Sequence, residues 1–541
     1  MPVVHRPDGA VALGRIVATW GVYSATFDEP AHLAAGMEWL DRGVYRYEEM
    51  HPPLARVAVA AGPYLEGIRA TGRPGIWQEG NALLNQRGDP QRALSLARLG
   101  ILPFFVATAV IVFFWARLVA NETTGVLAVL AFTSLPTVLA HSGLATTDAA
   151  AMATITATIF ALVRWLELPS PGRTIVLGVA AGLSLLAKMS ALVFLPAGGA
   201  VVIGAWLLGK NPVSPYVGRA VAAGLIMFLT LWGGYRFSVA PLNHGPVKPS
   251  PAAPPIKAKL QALTRLPIFP APEYIRGVRH IRDENRIGRK NYLLGEQVMG
   301  GRWYFFPVAL GVKTPLPFLV LALVGGATFV GMGRRRPSAL VPVLAPLGIL
   351  AAAMTANINI GVRHILPILP MLSICAGLGI LRLWHWRRLR RTGPVLAVGL
   401  AGWLAVESAL AHPDYLPYFN QLAGTRPEEM LVDSDLDWGQ DLGRLVDTLR
   451  ERRIRHVWLA YHGKRDLSTV GLPAYTELEE YTPETGWIAA SVFRLQLGYM
   501  GGRFDPFAWL KRYTPVARVG RSIYLYYIPP DSAAPGAPAR P

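Results

Sequence analysis

The sequence predicts a polytopic α-helical membrane protein of about eleven transmembrane helices, followed by a small C-terminal α/β domain outside the cytoplasm. Three observations lead there. Of 541 residues, 52% are hydrophobic and 16% charged, with mean hydropathy +0.32, a balance that no soluble domain of this size needs to fill a core. The apolar residues gather in repeated runs of about 17–25, the length that crosses hydrocarbon as a helix. The net charge of +19 sits in short basic clusters between those runs, which fits membrane topology and argues against a nucleic-acid partner.

The runs fall near 98–118, 124–141, 148–166, 174–190, 191–208, 219–239, 304–332, 338–356, 364–385 and 393–411, with a shorter one near 10–25 that holds Arg15. No A-x-A-like cleavage site follows that first run, so it is expected to stay as a span. Arg334–Arg336 and the arginines between 387 and 391 lie two spans apart, and 210–219 fits the same side. The positive-inside rule makes that side cytoplasmic, which puts loops 26–97 and 240–303 and everything after 411 on the outer face. The single cysteine, Cys375, lies in an apolar run, so neither a disulfide framework nor a cysteine zinc site can form.

The chain thus divides into a membrane domain, 1–411, an α/β domain, 412–528, and a Pro/Ala-rich tail, 529–541, expected to be disordered. In the second part a helix over 438–452 is expected, with Asp435 or Asp437 as its cap. Strands are expected at 456–461, 486–493 and 521–528.

Chemistry concentrates next to the membrane. Asp28 and Glu29 follow the first run within Thr26-Phe-Asp-Glu-Pro-Ala-His-Leu, and His51-Pro-Pro opens a helix expected to reach about Arg69. Adjacent carboxylates before a proline also suit a helix N-terminus, so spacing alone leaves both readings open. Asp148 closes a short outer turn and equally suits a cap. Lys188 and the pair Arg363–His364 place charge where apolar neighbours make it costly without a partner. Loop 240–303 carries eleven Lys and Arg against four Asp and Glu. Within it Arg276, Arg279, Arg282, Arg286 and Arg289 share one helical face, with Val278 and Ile281 on another. Such a stripe suits anionic headgroups, a funnel for a lipid phosphate, or both.

Asp433, Asp435 and Asp437 imitate metal motifs, but a calcium loop needs Gly where Trp438 stands and Glu where Arg444 stands. Helix capping and contact with the membrane domain are the expected roles. The sequence contains no Walker motif, no G-x-S-x-G and no G-x-G-x-x-G with its acidic partner.

Taken in order, these segments resemble a known family. They are the Asp28-Glu29 and His51-Pro-Pro loop, Ala140-His-Ser-Gly-Leu-Ala-Thr-Thr-Asp148, Gly182-Leu-Ser-Leu-Leu-Ala-Lys188 and Asn291-Tyr-Leu-Leu-Gly-Glu296. Gly301-Arg-Trp-Tyr-Phe-Phe-Pro307, Lys313-Thr-Pro315, Gly361-Val-Arg-His-Ile-Leu-Pro-Ile-Leu-Pro370 and Asp433-Ser-Asp-Leu-Asp-Trp-Gly-Gln-Asp-Leu442 continue the series. Over roughly 26–527 the chain resembles GT-C glycosyltransferases, in particular the family 39 protein O-mannosyltransferases and the aminoarabinose transferases. The resemblance implies transfer of a sugar from a polyprenyl-phosphate carrier to a hydroxyl of protein, lipid or glycan at the outer face. It makes Asp28 the general base, with Glu29 orienting it and Asp148 lining the cavity. His51, Lys188, Arg276, Arg279, Arg282, Arg363 and His364 are then candidates for binding the substrate and its departing phosphate. No cofactor is assured; a divalent cation at Glu49 and His51 is left open by the aminoarabinose transferases.

A secondary transporter is the main alternative, since many spans with charges near the membrane also describe one. Against it, the ionisable residues cluster in loops rather than at the bilayer midplane. A scaffold or receptor would leave Asp28, Asp148 and Lys188 without a role.

Overall fold

The computed structural model describes residues 7–209, 213–243, 264–333, 336–386, 388, 391–498 and 505–530. Lys210, Lys248, Lys257, Lys259, Arg334, Arg335, Arg387, Arg390 and residues 531–541 of the tail lie outside the described residues. The protein is a polytopic α-helical membrane protein. Among the described residues six helices are long and apolar enough to cross a membrane: Pro90–Val119, Asp148–Glu167, Ser214–Gly234, Leu316–Gly333, Val362–Trp384 and Thr392–Leu410. Glu122–Thr133 and Pro136–Ser142 make a seventh if a pair bent by 70° is one span, the bend falling where Pro136 follows Leu135. Pro171–Ala187, Ala191–Leu207 and Pro337–Ala353 are shorter apolar helices.

The first helix, Pro7–Ala18, is shorter than the run predicted at 10–25. Arg15 in it donates to the Tyr415 hydroxyl at 2.8 Å and the Ser408 hydroxyl at 2.9 Å, which satisfies a charge that the sequence left alone. After that helix the chain forms a cluster of short helices, Glu29–Met37, which is buried along its whole length, Pro53–Leu65, Ile76–Asn85 and Pro90–Leu99. Gly36 lets the first two of these cross in contact: a Cβ there would lie 1.9 Å from the Arg56 carbonyl oxygen.

The C-terminal region holds a five-stranded sheet in the order Ala474–Glu477, His456–Ala460, Gly486–Ser491, Ile523–Ile528, Ala517–Val519. The first three strands are parallel and the rest antiparallel, with Trp458 opposite both Thr476 and Ile488. The helix expected over 438–452 is Leu442–Glu451. Asp435 and Asp437 therefore cap no helix. Asp441 holds the cap position, but its carboxylate accepts from the Arg521 and Ser522 amides at 3.0 and 3.1 Å instead. The strand expected over 486–493 stops at Ser491, because Val492 begins a short helix capped by the Ser491 hydroxyl. Backbone bonds join this region to the first loop: the Phe27 amide donates to the Trp438 carbonyl at 2.8 Å and the Ser24 amide to that of Gln440 at 2.9 Å.

Candidate active site

Where these two regions meet, a pocket of about 600 Å³, mouth included, is walled by Phe27, Asp28, Arg289, Arg363, Asp433 and Trp438, among others. Its polar floor is a chain of charges drawn from four distant segments. Asp28 Oδ2 accepts from Arg363 at 3.2 Å, and the same Arg363 nitrogen lies 3.6 Å from Asp148 Oδ2. Asp148 Oδ1 accepts from Lys188 Nζ at 2.6 Å, and Thr146 donates to Oδ2 at 3.1 Å.

Local structure explains each placement. Asp28 precedes helix Glu29–Met37 but makes no capping bond, so its side chain is free to turn to the pocket. Asp148 likewise starts helix Asp148–Glu167 without capping it. Lys188 leaves helix Pro171–Ala187 in an extended conformation, which directs its amine to Asp148. Arg363 sits on a 3-10 turn after Gly361, whose φ of +149° few side chains would tolerate. Its guanidinium donates to the Ser434 hydroxyl at 3.0 Å and lies 4.2 Å from the centroid of the Trp438 ring. The three-aspartate segment supplies that support. Asp435 accepts from the Val362 amide at 3.0 Å and Asp437 from that of Phe493 at 2.8 Å, while Asp433 reaches the pocket.

Exposure separates the carboxylates. Asp148 is fully buried and doubly paired, whereas Asp28 keeps 23% of its side chain exposed and is held through one oxygen. Burial raises the Asp28 pKa above the ordinary carboxylate value; Arg363 opposes the rise and Asp148 adds to it. Asp433 is pushed up to about 7, mainly by burial, with Arg363 opposing.

Glu29 corrects the expectation that it acts beside Asp28. Its carboxylate points away from the pocket into a bidentate pair with Arg98 at 2.8 and 2.9 Å, both side chains 0% exposed. It also accepts from the Thr26 amide at 2.7 Å and the Ala145 amide at 2.8 Å. Its carboxylate oxygens are thus taken up by Arg98 and by the backbone around it.

His51 and His364 border the charge chain. Burial and then the Arg56, Lys188 and Arg363 charges hold the His51 pKa well below the imidazole value, so His51 is neutral. Its ring meets His32 edge-on at 5.2 Å, and its Nδ1 is buried without a hydrogen-bond partner. The same holds for Nε2 of His364.

The arginine stripe is only partly brought in. All of it but Arg289 lies on helix Pro272–Ile287, where Val278 and Ile281, on another face, pack on the core. Arg276 pairs with Glu49 at 2.7 Å, Arg282 is 73% exposed against Asp283, and Arg279 does not line the pocket. Arg289, beyond the helix end, is the stripe residue that does line it. Glu49 is thus committed to Arg276, and among the described residues no group of three His, Cys, Asp or Glu is placed to hold a metal ion. Arg98 and Trp438 were not singled out from the sequence as site residues, whereas Arg289 was named in the arginine stripe and Asp433 in the three-aspartate segment. Trp438 carried a signal only through the motif around it.

Residues 44–232 match the family described as dolichyl-phosphate-mannose-protein mannosyltransferase, a stretch that includes His51, Asp148 and Lys188. No curated protein matches the chain. Among solved structures, ArnT from Cupriavidus metallidurans bound to undecaprenyl phosphate is similar over 96% of this chain and 97% of its own, at 13% identity and TM-score 0.51. The same protein in the apo state is similar over 96% of both chains, at 13% identity and TM-score 0.52. The chain therefore shares the fold of that membrane protein, and resembles the GT-C glycosyltransferases as its motifs suggest.

Proposed function

We propose that this protein is a membrane glycosyltransferase that moves a sugar from a polyprenyl-phosphate carrier to a hydroxyl acceptor at the outer face, with Asp28 as general base. The observation that carries the reading is the contrast within the charge chain. Asp28 is half-open to the pocket with one oxygen outside its ion pair, while Asp148 and Lys188 are locked together below it. A base must reach the proton it takes and have a pKa suited to holding it; burial shifts Asp28 in that direction.

Arg363 links Asp28 to Asp148 and fixes the orientation of both. As the bond from sugar to phosphate breaks, negative charge grows on the phosphate. Arg363, Arg289 and Lys290 line the pocket and can receive it, with Lys188 behind them on Asp148, and neutral His51 beside the charge chain offers a ring N–H. The undecaprenyl phosphate in the structurally similar ArnT supports a carrier of that class. The acceptor is left as a hydroxyl on protein, lipid or glycan.

Mass spectrometry of lipid-linked sugars in cells lacking this protein tests the reading. Accumulation of one polyprenyl-phosphate sugar, together with loss of a glycosylated product, is expected. An unchanged lipid-linked pool, with uptake of a solute lost instead, would favour a transporter.

A further inference from the structure

A second cavity lies on the same side of the membrane domain and shares no lining residue with the Asp28 pocket. It encloses about 690 Å³, mouth included, where the chain leaves the span Ser214–Gly234, and Trp39, Arg46, Tyr235, Arg236, Glu273 and Arg276 line it. Three guanidinium groups thus face one carboxylate. The carboxylate, Glu273, accepts from the Ser238 hydroxyl at 2.8 Å, and Arg276 is taken by Glu49.

The two remaining arginines have capacity to spare. Arg46 is exposed and makes no side-chain hydrogen bond among the described residues. Arg236 lies flat over the Trp39 ring, 4.0 Å from its centroid, and uses one nitrogen to donate to the Trp39 carbonyl at 2.7 Å. The Tyr235 hydroxyl, also in the lining, is buried without a hydrogen-bond partner among the described residues, its ring fixed edge-on by Tyr45 and Tyr274. A buried hydroxyl left unpaired is costly unless something else supplies an acceptor. Arg236 and Phe237 both have φ of +55°, a conformation that residues other than glycine rarely hold, and such strain gathers at binding sites.

The surroundings identify the kind of acceptor. Ala223 is the one residue of the Ser214–Gly234 span that is buried, so much of that helix faces lipid. Phe237 and Val239 are 58% and 48% exposed at its end, and Trp39 and Trp232 add the aromatic belt usual at a bilayer surface. We infer that this cavity binds the phosphate of an anionic phospholipid, held by Arg46, Arg236 and the Tyr235 hydroxyl, with the acyl chains lying along Ser214–Gly234. Guanidinium forks match phosphate oxygens, and basic pockets beside membrane helices recognise such headgroups. The bound lipid fastens the turn after that span to Trp39, next to the loop that carries Asp28.

Native mass spectrometry of the full protein in detergent, titrated with phosphatidylglycerol or phosphatidylcholine, tests this. The wild type should retain one tightly bound phosphatidylglycerol and no comparable phosphatidylcholine. The Arg46→Gln/Arg236→Gln variant should bind phosphatidylglycerol about tenfold more weakly, and Tyr235→Phe more weakly by a smaller factor. Arg46→Gln alone removes an exposed side chain with no intramolecular bond, so its weaker binding cannot come from misfolding. Equal affinity of wild type and both arginine variants for phosphatidylglycerol would overturn the inference, as would equal retention of the two lipids. Full displacement by millimolar inorganic phosphate would show a soluble-anion site and overturn the lipid assignment. None of these readouts depends on sugar transfer, so this inference and the proposed function fail separately.

Discussion

Asp28 and Glu29 are neighbours in sequence and opposite in circumstance. Glu29 is sealed with Arg98 and takes two backbone amides and the Thr26 hydroxyl, an arrangement that ties the first loop to the turn at Ala145. Asp28, one residue earlier, has one partner, partial exposure and a raised pKa. The difference teaches that a carboxylate's role is set by how many of its lone pairs the fold consumes. The saturated one holds the backbone in place. The unsaturated one remains available to a proton.

The comparison breaks most visibly at the clamp. Arg98→Met would leave Glu29 buried without its counter-charge, and losing one partner of a buried pair costs about 3–5 kcal/mol. Thermal unfolding in detergent should show a large drop for this variant; an unchanged transition would mean that Glu29 is not a structural clamp. Lys188→Met sharpens the other half. Asp148 would keep the Thr146 hydroxyl but, as counter-charge, only the longer contact to Arg363, and a displaced Arg363 would misplace Asp28. Turnover should fall by about 10²-fold, the scale of a 1 Å misplacement, with a smaller effect on donor affinity. Equal turnover of wild type and Lys188→Met would detach Asp148 from the mechanism.

The pH profile offers a finer probe. A general base works deprotonated, so the rate is lost as pH falls through its pKa. Because burial raises that of Asp28, the acid limb of kcat/KM should lie above the ordinary carboxylate range near ~4. Asp433, pushed up to about 7, titrates in the same pocket, so the profile of Asp433→Asn distinguishes the two groups. A limb that persists in Asp433→Asn belongs to Asp28; one that vanishes would transfer the role to Asp433. At the small end, Arg282→Gln should change both stability and turnover by less than about twofold, as exposed ion pairs contribute little. A marked rise in KM for the lipid donor would restore the stripe as a phosphate funnel.

Legibility in the sequence followed the cost of charge. Lys188 and Arg363 stood out because a charge among apolar residues demands a partner, and Asp148 through the turn and motif it closes; the structure links all three to Asp28. What sequence spacing could not reveal was pairing at long range. Arg98 lies 69 positions from Glu29, and Asp433 reaches the pocket from the far side of the membrane domain's last span. The arginine stripe failed for a geometric reason. Helical period puts Arg276, Arg279 and Arg282 on one face, but which part of that face meets the pocket depends on how the helix lies, and only its far end, at Arg289, does so. The cap expected of Asp435 or Asp437 failed because both carboxylates are used to anchor Val362 and Phe493.

The central claim is tested most directly by turnover per folded molecule of purified Asp28→Asn at saturating polyprenyl-phosphate sugar. Asn keeps the shape and an oxygen for Arg363 but takes no proton. The account predicts a fall of about 10²-fold or more with unchanged unfolding temperature and donor binding. Turnover near wild type in that variant would contradict it.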